Sequence, residues 1–82
     1  MPRYYFHVRT TGDLVTDPEG SDLVDLMAAR AEAIANARGA MSASILEGID
    51  LSGSAAVEIH DDTGRLLMRV PYSDAIRRVQ FT

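Results

Sequence analysis

Leu26 to Glu47 carries the one long helical pattern in this chain, and it limits the possible folds more than any other segment. Placed at 100° intervals, Leu26, Arg30, Ala33, Ile34, Ala37, Met41, Ser44 and Ile45 fall on one broad stripe, with Glu32, Asn36 and Glu47 away from its centre. Asp25 stands where an N-cap belongs, and Gly48 stands at C′, where a left-handed residue ends helices. At 1.5 Å per residue the helix is about 33 Å long. Its alanines allow close approach to a neighbour. Gly39 costs about 1 kcal/mol relative to Ala and marks either a close contact or a bend. One helix with one apolar stripe cannot enclose a core, so the opposing wall has to be sheet.

The flanking segments supply it as two hairpins. In Pro2-Arg3-Tyr4-Tyr5-Phe6-His7-Val8-Arg9, strict alternation sends Tyr4, Phe6 and Val8 to one face and Tyr5, His7 and Arg9 to the other. Thr10-Thr11-Gly12-Asp13 turns the chain, and Leu14-Val15-Thr16 returns as a short strand. Asp17-Pro18-Glu19-Gly20 is turn chemistry that ends the ladder. Beyond the helix, a connector over 49–54 tucks Ile49 and Leu51 under the sheet. Ala56 to His60 and Arg65 to Val70 then pair across Asp61-Asp62-Thr63-Gly64. Val57, Ile59, Leu66, Met68 and Val70 are expected inside, with Ala56, Glu58, His60, Leu67 and Arg69 outside. Pro71 ends the last strand, and Ser73 or Asp74 caps a terminal turn through Ala75, Ile76, Arg77, Arg78 and Val79.

The predicted fold is α+β in the order β-β-α-β-β. A single-layer four-stranded antiparallel sheet, with strand order 2-1-3-4, carries one long helix on one face and a short C-terminal turn or helix. Its 82 residues form a single α+β domain spanning 1–82, too short for two cores. A small core with one uncovered sheet face favours self-association.

The absence of cysteine excludes disulfides and thiolate metal sites. No basic, then apolar, leader is visible and no apolar run approaches membrane-spanning length, so a cytoplasmic location without membrane contact is expected. Net charge is −4, against the trend for dedicated nucleic-acid binders. The charge is unevenly spread: Asp13, Asp17, Glu19, Asp22 and Asp25 occupy a base-free stretch, whereas Arg65, Arg69, Arg77 and Arg78 face only Asp74 near the end.

Three segments carry a family likeness: Pro2-Arg3-Tyr4-Tyr5-Phe6-His7-Val8, then Ala28-Ala29-Arg30-Ala31-Glu32-Ala33, then Asp62-Thr63-Gly64-Arg65 leading to Val70-Pro71-Tyr72. Together they resemble a family of short bacterial proteins known only as a domain of unknown function. The resemblance spans nearly the whole chain and implies a single domain. It implies no activity, substrate or site residue.

His7 and His60 are the obvious metal or proton-transfer candidates. Zinc, however, needs three or four ligands, and only Glu58, Asp61 and Asp62 are at hand. Asp61-Asp62 before Thr-Gly reads as turn chemistry rather than an acid–base pair. No serine lies in a nucleophile elbow, and Gly12, Gly20 and Gly64 are too isolated to cradle phosphate in a glycine-rich loop. The expected function is therefore a non-enzymatic interaction or assembly module, without catalytic residues, metal, cofactor or small-molecule ligand. Self-association, or binding of another protein, through the uncovered sheet face or an edge strand would use Tyr5, His7, Arg9, His60, Leu67 and Arg69. The alternative is a nucleic-acid-binding accessory protein using Arg65, Arg69, Arg77 and Arg78.

Overall fold

Alternation in Arg3–Thr10 produces β1, the strand from which the sheet is built; the computed structural model describes residues 1–77. β2 (Asp13–Val15) folds back on its end, while β4 (Ala56–His60) and β5 (Leu66–Pro71) form the second hairpin. The antiparallel order is β2-β1-β4-β5, which is the predicted 2-1-3-4 in counting order. A short extra strand, β3 (Ser21–Asp22), also pairs with β1, at Arg3 and Tyr4. The chain is thus α+β with an open antiparallel sheet. β3 escapes prediction because two residues carry no period, and their strand conformation comes only from the partner.

The inner face follows from register. Phe6 stands opposite Ile59 and Val8 opposite Val57, which in turn face Met68 and Val70 on β5. Ile59, Val57 and Val70 are the largest fully buried side chains. Against them lies α1 (Leu26–Leu46), with Asp25 Oδ1 accepting the Ala28 N–H at 2.8 Å. At its other end the N–H groups of Gly48 and Ile49 return to the carbonyls of Ile45 and Ser44, with Gly48 at φ 80°. The helix stops one residue before the predicted Glu47, which is its C-cap.

Ala29, Ala33, Ala37 and Met41 form the buried row of α1. Ala29 lies outside the predicted stripe, and Ile45, inside it, is 60% exposed. Length explains the second difference: five residues of β4 span about 17 Å and 21 residues of helix about 31 Å, so the end of α1 runs past its support. A Cβ added at Gly39 would meet nothing within 4 Å, which removes the close-contact reading. No helix among the described residues is long and apolar enough to cross a membrane.

Three further expectations are corrected. β5 carries a bulge: Ile59 pairs with Met68 but His60 pairs with Leu66, so Leu67 is the extra residue. The bulge breaks the alternation, leaving Leu66 half exposed and letting Leu67 pack on the core. Ile49 is also half exposed; only Leu51 of the connector reaches the core. Finally, the terminal turn is a 3₁₀ turn over Tyr72–Ala75 entered from Pro71 without a side-chain cap, and Ile76 is already extended. It is held by Arg38 Nε donating to the Ala75 carbonyl at 2.8 Å and by burial of Tyr72 and Ala75. Val79 and Arg78 lie outside the described residues.

Candidate functional site

Strand parity places Tyr5, His7 and Arg9 on the face away from the helix, and register supplies their neighbours. Tyr5 faces His60, His7 faces Glu58, Arg9 faces Ala56, and Glu58 faces Arg69 across β5. The two imidazoles approach with centroids 4.6 Å apart, and Tyr5 lies 6.4 Å from His7. Glu58 is the centre of this group. Its Oε2 accepts from Arg9 Nε at 2.9 Å and its Oε1 lies 3.2 Å from His60 Nε2. Although Glu58 stands on the face that no helix covers, it is only 9% exposed. Buried carboxylates are tolerated when paired and hydrogen-bonded, as this one is. The Arg9 guanidinium, against the opposing effect of burial and with help from His60, holds the Glu58 carboxyl below the usual range.

A second carboxylate closes the edge of β1. Between the stretches paired with β2 and β3, the Phe6 N–H has no strand partner and donates to Asp17 Oδ2 at 3.2 Å. Asp17 Oδ1 accepts from the amides of Glu19 and Gly20, each at 3.2 Å. Burial works to raise the Asp17 pKa, but the amides of Phe6, Gly20 and Glu19 outweigh it and the carboxyl titrates below its ordinary value. The Asp17 N–H in turn donates to His7 Nδ1 at 3.0 Å, fixing His7 as a neutral ring with its proton on Nε2. His60 differs: Nδ1 lies 3.1 Å from the Gly64 carbonyl and Nε2 faces Glu58, so both nitrogens meet acceptors. A neutral ring donates to one of them and an imidazolium to both.

Burial, then the neighbouring His60, lowers the His7 pKa from 6.5, against the opposing pull of Asp17 and Glu58. Because the folded value lies below the unfolded one, the stability from neutral His7 is complete above pH 6.5 and is lost as pH falls from there toward the folded pKa. Urea midpoints measured between neutral and mildly acidic pH are expected to drop in that window. His7→Asn, whose amide oxygen keeps an acceptor for the Asp17 N–H but does not titrate, is expected to flatten that drop.

Of the interface residues predicted from sequence, Tyr5, His7, Arg9, His60 and Arg69 do share this face. Leu67 does not, because of the bulge. Arg65 is exposed at the β4–β5 turn and Arg77 beyond the 3₁₀ turn, so neither joins the cluster. Asp61 serves its own turn, accepting from the amides of Thr63 and Arg65 and from the Thr63 hydroxyl. No group of three or more His, Cys, Asp or Glu among the described residues is arranged to hold a metal ion. Sequence reasoning gives Asp17 only a turn former's role. Its spacing of ten residues from His7 has no local meaning until the hairpin brings the two together.

A cleft opens where β1 and β5 leave the sheet and β4 enters it. Arg9, Arg69, Thr10, Ser54, Ser73 and Gly53 are among the residues that line its volume of about 420 Å³.

No curated protein and no solved structure matches the chain. A family model does match, over residues 3–73, from the first residue of β1 through β5 and into the 3₁₀ turn. The chain that builds this sheet, helix and polar face belongs to the family described as Domain of unknown function (DUF6894).

Proposed function

We propose that this protein is a non-enzymatic assembly module that self-associates through the outer edge of β5. The observation that carries this reading is the difference between the two edges of the sheet. On the β1 side, β2 and β3 are short, and the gap between them is filled by the Asp17 carboxylate. That edge is blunted in the way sheet proteins avoid unwanted pairing. β5 has six residues, ends the strand order, and has no neighbour on its far side among the described residues. Pro71 removes an N–H only at its last position. Antiparallel pairing of two β5 strands about a two-fold axis would join the sheets of two copies into one. The half-exposed Leu66 would gain cover in the same step.

The open face itself is a weaker candidate for the contact, since its Glu58 and His60 already satisfy each other and the Asp17–Gly20 turn lies against Tyr5 and His7. The Arg-rich alternative has less behind it: Arg65 and Arg69 are separated from Arg77 by the turn, Asp74 lies between them, and Asp61 and Asp62 precede Arg65. Sedimentation velocity across the micromolar range is expected to show a monomer–dimer equilibrium. Leu66→Lys, which puts a charge on the edge, is expected to weaken it about tenfold or more. A concentration-independent monomer would rule the proposal out.

A further inference from the structure

We propose that the cleft at the end of the sheet binds the phosphoryl group of a small ligand. The residues that line the cleft all belong to one chain. Its volume, about 420 Å³, falls in the range of small-molecule sites. Two guanidinium groups line it, and they are in different states. Arg9 gives its Nε to Glu58 at 2.9 Å, which orients the side chain while leaving both terminal nitrogens for another acceptor. Arg69, on β5, stands directly opposite Glu58 of β4 but forms no ion pair among the described residues.

The charge balance favours an anion. Glu58 is the carboxylate opposite Arg69 by register, and it is already engaged by Arg9 and His60, so Arg69 has no ion-pair partner among the described residues. Asp50 accepts the Ser52 N–H at 2.9 Å on the connector, and Asp74 follows Ser73; these acids lie close in sequence to the cleft's lining and disfavour an extended polyanion. The lining residues offer several donor groups: the guanidiniums of Arg9 and Arg69, and the hydroxyl-bearing Thr10, Ser54 and Ser73. A carboxylate has two oxygens to offer them, whereas a phosphoryl group has three and carries more charge. Gly53, with nothing within 4 Å of its Cβ position, leaves room for a ligand to approach the connector.

The test is a titration of ¹⁵N-labelled full-length protein with inorganic phosphate, phenyl phosphate, acetate and a short single-stranded RNA, in buffer free of other oxyanions. Saturable shifts at Gly53, Ser54 and the arginine Nε–H groups are expected with both phosphates, and weaker ones with acetate. Arg69→Ala should weaken phosphate binding about tenfold or more, the loss expected for a charge-assisted hydrogen bond, and Arg69→Lys by less. Arg65→Ala, remote from the cleft lining, should change it less than about twofold. Arg69 is exposed and forms no ion pair among the described residues, so its variants should melt with the wild type and the comparison should not be confounded by unfolding. Linear, unsaturated shifts would overturn the proposal, as would equal losses from Arg65→Ala and Arg69→Ala. Acetate binding as tightly as phosphate would overturn the phosphoryl assignment. Preferential RNA binding that depends on Arg65 and Arg77 would replace the small ligand by a nucleic acid.

Discussion

Ile59→Ala is expected to lower the free energy of unfolding by about 3–5 kcal/mol, the upper part of the range for large-to-small changes in cores. Ile59 is 0% exposed and sits mid-sheet, with Phe6 on one side and Met68 on the other. Above it, α1 presents Ala29, Ala33 and Ala37, all 0% exposed. Alanines have no rotamers with which to fill a void, and the helix already packs closely, so the cavity left by three carbon atoms should persist. For a domain of this size each kcal/mol moves the melting temperature by about 4–8 °C. A loss of this size is a large share of a typical total of about 5–15 kcal/mol. Leu66→Ala, one strand away but half exposed, is expected to cost less than about 1 kcal/mol. Urea denaturation of the two variants measures the contrast. A loss below about 1 kcal/mol for Ile59→Ala would mean that the helix can settle onto the sheet, contrary to the packing described.

Gly20→Ala is expected to cost about 2–4 kcal/mol, unusual for a loop residue. Gly20 has φ 71°, a region that costs an L-residue about 1–2 kcal/mol. A Cβ there would also lie 2.9 Å from the Tyr4 carbonyl oxygen and 2.9 Å from Tyr5 Cε2. The first is backbone of the central strand and cannot move aside without disturbing the β1–β3 pairing, which adds about 1–3 kcal/mol. Gly20 also supplies one of the amides that hold Asp17, so the damage should reach the Asp17–His7 hydrogen bond. Gly39→Ala is the opposite case. It lies within α1 with open space around it, so the substitution should stabilise by about 0.5–1 kcal/mol through the unfolded chain and helix propensity. Thermal melts of both variants under one set of conditions test the pair. Equal effects of the same sign would show that local backbone preference, and not the contact with β1, governs position 20.

Much of the architecture is legible in the sequence because its signals are local. Alternation in Arg3–Arg9, the apolar spacing after Leu26, Asp25 and Gly48 at the helix ends, and glycine in each hairpin turn all act over a few residues. They suffice for strand, helix and turn, and from the number of elements comes the α+β layer plan. Register is partly legible too: placing Tyr4, Phe6 and Val8 inside puts Tyr5, His7 and Arg9 together outside, where the structure has them.

Features that need two distant segments are not. The bulge at Leu67 exchanges the environments of two adjacent leucines, and nothing in Leu66-Leu67-Met68 distinguishes one register from the other. Asp17 has a turn former's surroundings, yet its carboxylate substitutes for a missing strand on β1 and its amide sets the tautomer of His7. Glu58 alternates outward like any surface residue with His60 two positions on, and only β1 laid alongside brings Arg9 and His7 to it. Periodicity and capping are properties of neighbouring residues and are written into the chain. Burial of a charge, the pairing of an edge and the opening of a cleft between Arg9 and Arg69 depend on surfaces that exist only once the sheet has closed against the helix.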